Sequence, residues 1–167
     1  MDFIIDKIGY GWFDVSFLIG DNRVTVTASY AWGHDSPQLF LMMLYNSLCE
    51  DDYENSFVIW DEEPGEYFVC LEKEHETYRL SIGFSEDAED LYGRFFKTPY
   101  GDMSYDKVKS LFPDWKELLS NEINITDFAK SVCSAFEAYN ADDYEKNWTM
   151  PYPKEQIELL KNVIKNG

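Results

Sequence analysis

Histidine is nearly absent from this chain: only His34 and His75 occur. Catalysis by a nucleophile and a base needs a Ser, Cys or Thr within reach of a His that a third group holds in place. His34 is followed by Asp35, but adjacency in sequence does not build a relay. His75 lies between Glu74 and Glu76 and reads as a solvated turn residue. No catalytic residue is expected. Cysteine is scarce too. Cys49, Cys70 and Cys133 are far apart and odd in number, so they make no Cys-x-x-Cys pair. Each lies in an apolar context and is expected as a buried free thiol. The acidic residues form no Asp-x-Asp-x-Asp-Gly loop, and there is no His-Glu-x-x-His pair, so no metal is expected. Gly9 and Gly11 flank Tyr10 ahead of a strand, not between a strand and a helix. That is no dinucleotide fingerprint, and no cofactor is expected.

Positive charge is also thin. The 14 Lys and Arg are scattered, whereas a single-strand nucleic-acid binder needs basic residues that track phosphate. No apolar stretch approaches the ~20 residues that span a membrane. The start, Met1-Asp2-Phe3-Ile4-Ile5-Asp6, has no basic region followed by a long apolar run, so no signal peptide is expected and a cytoplasmic protein follows.

What the chain does have is apolar mass and negative charge. Hydrophobic residues make up 45% and aromatics 17%, which supplies a core and argues against disorder. The length of 167 residues fits one α+β domain over 1–167. A chain of this size buries roughly 70% of its unfolded surface. No internal repeat, low-complexity tract or linker divides it. The formal charge of -18 opposes compaction by self-repulsion and disfavours nucleic acid and anionic membranes as partners. It favours a basic protein, whose approach it would accelerate.

Periodicity places the elements. Phe13, Val15, Phe17 and Ile19 alternate with Asp14 and Ser16 over Trp12 to Ile19, and Gly20-Asp21-Asn22 turns the chain. Val24, Val26, Ala28 and Tyr30 then alternate with polar residues, which predicts a hairpin. Ala31 to Asp35 reads as a loop. Ser36 can cap a helix that Pro37 opens, with Leu39, Phe40, Met43, Leu44 and Leu48 facing a core. Two strands flank Trp60 to Tyr67. A two-residue Pro64-Gly65 type II turn twists the wrong way for a tight hairpin, so a wider loop over Asp61 to Glu66 is expected. Thr77 to Phe84 predicts a fifth strand. Ser85 to Asp90 reads as a turn or helix start and Arg94 to Asp102 as a loop. Ser104 opens a helix with Val108, Leu111 and Phe112, and Trp115, Leu118 and Leu119 continue its stripe past Pro113. Helices begin at Asn124-Ile125-Thr126 and at Pro153. The expected fold is one antiparallel sheet of about five strands, ordered strand-strand-helix-strand-strand-strand, with C-terminal helices packed on it.

The acid is concentrated. From Glu50 to Glu76 there are eleven Asp and Glu against one Lys. With 32 acidic residues in all, close carboxylate pairs are unavoidable and say nothing by themselves about glycoside chemistry. Asp61-Glu62-Glu63 reads as a solvated acidic loop before it reads as a cation site. The expected contact residues for a basic partner are Glu50, Asp51, Asp52, Glu54, Asp61, Glu62, Glu63 and Glu66, with Tyr53, Trp60 and Tyr67 as possible aromatic anchors. A purely solubilising role for the charge stands beside that reading. Trp60 reads as core because it continues a strand.

Gly11-Trp12-Phe13-Asp14-Val15, the Trp60 to Tyr67 stretch, Phe128-Ala129-Lys130, Tyr144, Trp148 and Pro151-Tyr152-Pro153 together span most of the chain. On these residues the sequence resembles the small cytosolic immunity proteins of bacterial polymorphic toxin and contact-dependent inhibition systems. The resemblance implies a non-enzymatic inhibitor that binds a toxin domain, often a basic nuclease, and blocks its active site or a neighbouring surface. It carries over no individual site residue. Two other readings stay open: a hydrolase with a carboxylate-lined cleft, and an acidic adaptor or structural module without a toxin partner.

Overall fold

A computed structural model describes residues 1–30, 33–62, 64–86, 96 and 98–166. Strands β2 (Trp12–Ile19) and β3 (Asn22–Ser29) pair antiparallel from Trp12↔Ser29 to Ile19↔Asn22, as the period of two predicts. Phe13, Val15, Phe17, Val26 and Ala28 are fully buried on their inner face. A strand absent from the sequence reading, β1 (Asp2–Gly9), pairs with the other side of β2. A bulge between Ile5 and Lys7 breaks its alternation, so the buried side chains are those of Phe3 and Ile8, an odd spacing that hides the strand.

Helix α1 (Ser36–Cys49) buries Phe40, Leu41, Met43 and Leu44. Its cap is Asp35, whose carboxylate accepts from Gln38 N, in place of the expected Ser36. The Ser36 hydroxyl donates instead to Ile59 O at 2.9 Å and fastens the helix to a strand. That strand, β4 (Asn55–Glu62), pairs with β5 (Gly65–Glu74), which pairs with β6 (Thr77–Ser85).

The single expected sheet is in fact two, both antiparallel. β1-β2-β3 stand apart from a five-stranded sheet ordered β7-β4-β5-β6-β8. β7 (Tyr100–Gly101) falls inside the expected 94–102 loop and pairs with Val58 and Phe57. β8 (Lys116–Ile123) replaces the expected helical continuation. Trp115, Leu118 and Leu119 have helix-like spacing, but β6 offers a long open edge for pairing, and a register shift at Ile82/Gly83 disrupts the period of two. Gly83 has no side chain, and the Trp115 ring fills the space that a Cβ would need. The helix opened by Ser104, α2 (Tyr105–Lys109), is only five residues long.

Three helices close the chain. α3 (Ile125–Glu137) is capped by Asn124, which accepts from Asp127 N at 2.9 Å. α4 (Ala141–Trp148), not anticipated from sequence, is capped by Asn140, and its buried residues are Tyr144 and Trp148. α5 (Lys154–Asn166) buries Ile157 and Leu160.

The main core draws on both sheets and on α1, α3, α4 and α5. Phe13 meets Trp60, Tyr144 and Trp148 edge-on, and Phe40 meets Trp60. Trp60 is thus core, as its strand context suggested. A smaller core lies on the opposite face of the five-stranded sheet, where Phe57, Ile59, Phe68 and Cys70 pack under Phe96, Tyr105, Val108 and Phe112. Cys70 and Cys133 are buried thiols pushed upward in pKa by burial, whereas Cys49, at the open end of α1, is exposed. The parts of the expected turns and loops at 31–32, 87–95 and 97, and the site residue Glu63, lie outside the described residues. No described helix is long and apolar enough to cross a membrane.

Candidate functional site

The acid gathers at both ends of β4. At its start, the chain leaves α1 at Glu50 and enters β4 at Asn55. Glu50, Asp51, Asp52 and Glu54 are all exposed in this turn, while Tyr53 between them is buried. The Tyr53 hydroxyl donates to Leu71 O at 3.0 Å and shares a hydrogen bond with Ser56 Oγ at 2.6 Å. Burial raises its pKa, so it stays protonated and holds both bonds. The backbone is pinned as well, since Lys73 N donates to Glu54 O at 2.7 Å. A buried aromatic therefore holds four carboxylates outward. Asp102, next to β7, joins them because β7 pairs with β4. Glu50, Asp52, Tyr53, Glu54, Asn55 and Asp102 line an open depression of about 300 Å³. Among the described residues, no ion pair engages any of these five carboxylates.

At the other end the arrangement differs. Pairing continues to Glu62↔Gly65, so the hairpin is tight and the expected wide loop over Asp61 to Glu66 is not formed. Gly65 is the first residue of β5, where the Phe84 ring and Ser85 O leave no room for a Cβ. Asp61 and Glu66 face each other across the strands and are buried, at 1% and 4% exposure. Alternation accounts for this: both lie on the same face as Ile59 and Phe68 of the smaller core. Burial holds the Asp61 carboxyl above the usual carboxylate range, partly offset by Glu66 and His34 nearby. Glu62 lies nearer the surface and interacts with the Tyr67 hydroxyl; burial, then Glu62 and Asp14, push that hydroxyl's pKa up.

Of the eight expected contact residues, the fold therefore brings together Glu50, Asp51, Asp52 and Glu54. It sets Asp61, Glu62 and Glu66 at the far end of an eight-residue strand, roughly 23 Å away at about 3.3 Å per residue. Of the possible aromatic anchors, Tyr53 and Trp60 are buried and Tyr67 is half-buried.

Sequence reading missed Asp102, because only strand pairing brings it to the turn. It also missed an exposed aromatic trio, Tyr10, Trp12 and Tyr30, around the β1–β2 turn. A further groove of about 440 Å³ runs between the start of β6, the end of β8 and the start of α3, with Glu76 and Glu122 in its lining. Near it, Arg79 reaches Glu74 through two hydrogen bonds of 2.7 and 2.9 Å and lowers that carboxyl's pKa, so the acid there is partly neutralised. Among the described residues, no three His, Cys, Asp or Glu side chains are grouped to hold a metal ion. Comparison with protein-family models, with curated proteins and with solved structures found no match to this chain.

Proposed function

We propose that this chain is a non-enzymatic binding protein of the cytoplasm that captures a basic protein, of the kind a nuclease toxin domain presents, with the α1–β4 turn as its charged docking surface. One observation carries the reading. Glu50, Asp51, Asp52 and Glu54 stand exposed on a turn that Tyr53 fixes from beneath, with Asp102 beside them, and among the described residues no ion pair engages any of the five. Unneutralised carboxylates on a rigid mount give a directed field. Such a field can raise association toward 10⁸–10⁹ M⁻¹s⁻¹ at low salt. Negative charge fixed in this way also offers a nucleic-acid-binding partner the charge that its own substrate carries. The resemblance to immunity proteins points the same way.

The test is capture on the immobilised protein from a lysate of its source, washed at low and then high salt. The proposal expects one small basic domain to survive the high-salt wash. Stopped-flow association of that domain should then slow at least about tenfold for the Glu50→Lys, Asp52→Lys, Glu54→Lys variant, with a flatter salt dependence. Release of every basic protein by salt would leave the acidic-adaptor reading in its place.

The buried pair Asp61 and Glu66 favours a second reading, a hydrolase, because general acid catalysis needs a carboxyl with a raised pKa. Turnover of a chromogenic glycoside that disappears in Asp61→Asn would move the assignment to this reading.

A further inference from the structure

The loop between β1 and β2 is two residues long, Tyr10 and Gly11, closed by the Gly9↔Trp12 pair. Both residues have positive φ, +56° and +79°. Tight hairpins of this kind favour Asn-Gly, because an L residue with a bulky side chain is strained at positive φ. Tyr10 gains nothing from folding to offset that strain, since it is 96% exposed. The turn is nevertheless held firmly. Gly11 N donates to Asn147 O at 2.9 Å, and Tyr30 N donates to Gly11 O at 2.8 Å. Trp12 and Tyr30, at 39% and 37% exposure, flank the same turn, and Tyr30 is braced edge-on against Trp148. Three partly or fully open rings thus surround one strained and anchored turn.

The charge beside them is negative. Asp14 follows Trp12 on the same face of β2. Asp14 and Glu62, from different sheets, both add to the rise that burial gives the pKa of the Tyr67 hydroxyl. Among the described residues, no ion pair engages either one. Aromatic faces next to carboxylates suit a guanidinium, which stacks on the ring and pairs with the acid.

We infer that the Tyr10, Trp12 and Tyr30 turn is a second contact surface, which receives arginine side chains of the basic partner. The inference rests on the basic-partner reading above and places an anchoring contact away from the α1–β4 turn. Strain that persists at an exposed aromatic is explained by a contact made outside the chain. The aromatic anchor supplies affinity and the acidic turn supplies encounter rate.

A tetra-arginine peptide, titrated into the full chain at physiological salt and followed by NMR, tests this. Ring signals of Tyr10, Trp12 and Tyr30 should shift and saturate. Tyr10→Asn should weaken that binding about threefold, the scale of one exposed cation–π contact, while its thermal midpoint stays level or rises because Asn tolerates positive φ. A lowered midpoint with unchanged binding would make Tyr10 structural and overturn the inference. Shifts confined to residues 50–54 would overturn it too, yet leave the basic-partner reading standing. Absence of shifts at both places would overturn both.

Discussion

The two ends of β4 carry the same kind of residue and give it opposite fates. At the start, Glu50, Asp51, Asp52 and Glu54 face water around the buried Tyr53. At the finish, Asp61 and Glu66 face a small apolar core. Charge density along the sequence is similar at both ends, so density alone does not make a surface. What decides is the face on which strand alternation places each carboxylate. An ionised carboxylate out of water is costly, and such a group gains a proton or a partner instead. The first end can therefore act on the solution, and the second is bound into the stability of the protein.

Substitutions at the two ends should separate them. The largest effect is expected for Asp61→Lys, which puts a bulkier cation at a buried site. A loss of about 3–5 kcal/mol in chemical denaturation is expected. Asp52→Lys should stay within about 0.5 kcal/mol, and equal losses at the two sites would dissolve the contrast. Next comes Tyr53→Phe. It strands the Leu71 carbonyl and Ser56 hydroxyl and should lose about 1–2 kcal/mol, with hydrogen exchange rising across residues 50–56.

Smaller still is a pH effect. The folded Asp61 carboxyl lies above its unfolded value of 3.8, so the folded state binds the extra proton. Its contribution to stability is greatest at low pH and declines as pH rises from about 3.8 through the raised folded value. Asp61→Asn should remove that decline, so the variant gains on the parent as pH increases. Parallel pH profiles for the two proteins would mean that Asp61 is not held up by burial. The smallest effect on stability belongs to Glu50→Lys with Glu54→Lys. Relief of self-repulsion should leave the thermal midpoint level or slightly raised, while association with a basic partner slows.

The sequence was most legible where period and environment agree. The β2–β3 hairpin follows from strict alternation over one buried face. α1, α3 and α5 follow from stripes spaced three and four apart. β1 escaped because its bulge sets Phe3 and Ile8 at an uneven distance. β8 looked helical because Trp115, Leu118 and Leu119 have helical spacing, and only the space above Gly83 shows where Trp115 belongs. At the acidic site, the Glu50 to Glu54 run was readable because a polar turn follows a capped helix. The burial of Asp61 and Glu66 was not, since the continuous apolar runs 57–60 and 67–71 mark a sheet covered on both faces but not how far along the strands the cover extends. Tyr10 could have been suspected: a Tyr directly before Gly11 in a short turn is an unfavoured choice for that backbone.

Trp148 Nε1 donates to Asp35 at 3.2 Å, so the residue that caps α1 is tied to one 113 positions later. Phe3 likewise stacks with Phe136. On a ribosome, the first helix emerges long before its cap has this partner, and the three-stranded sheet is made before the rings that cover it. The main core can close only when residue 148 and the segment after it are free of the exit tunnel. Such long-range closure slows folding, and it makes α3, α4 and α5 the last of the described elements to join the main core.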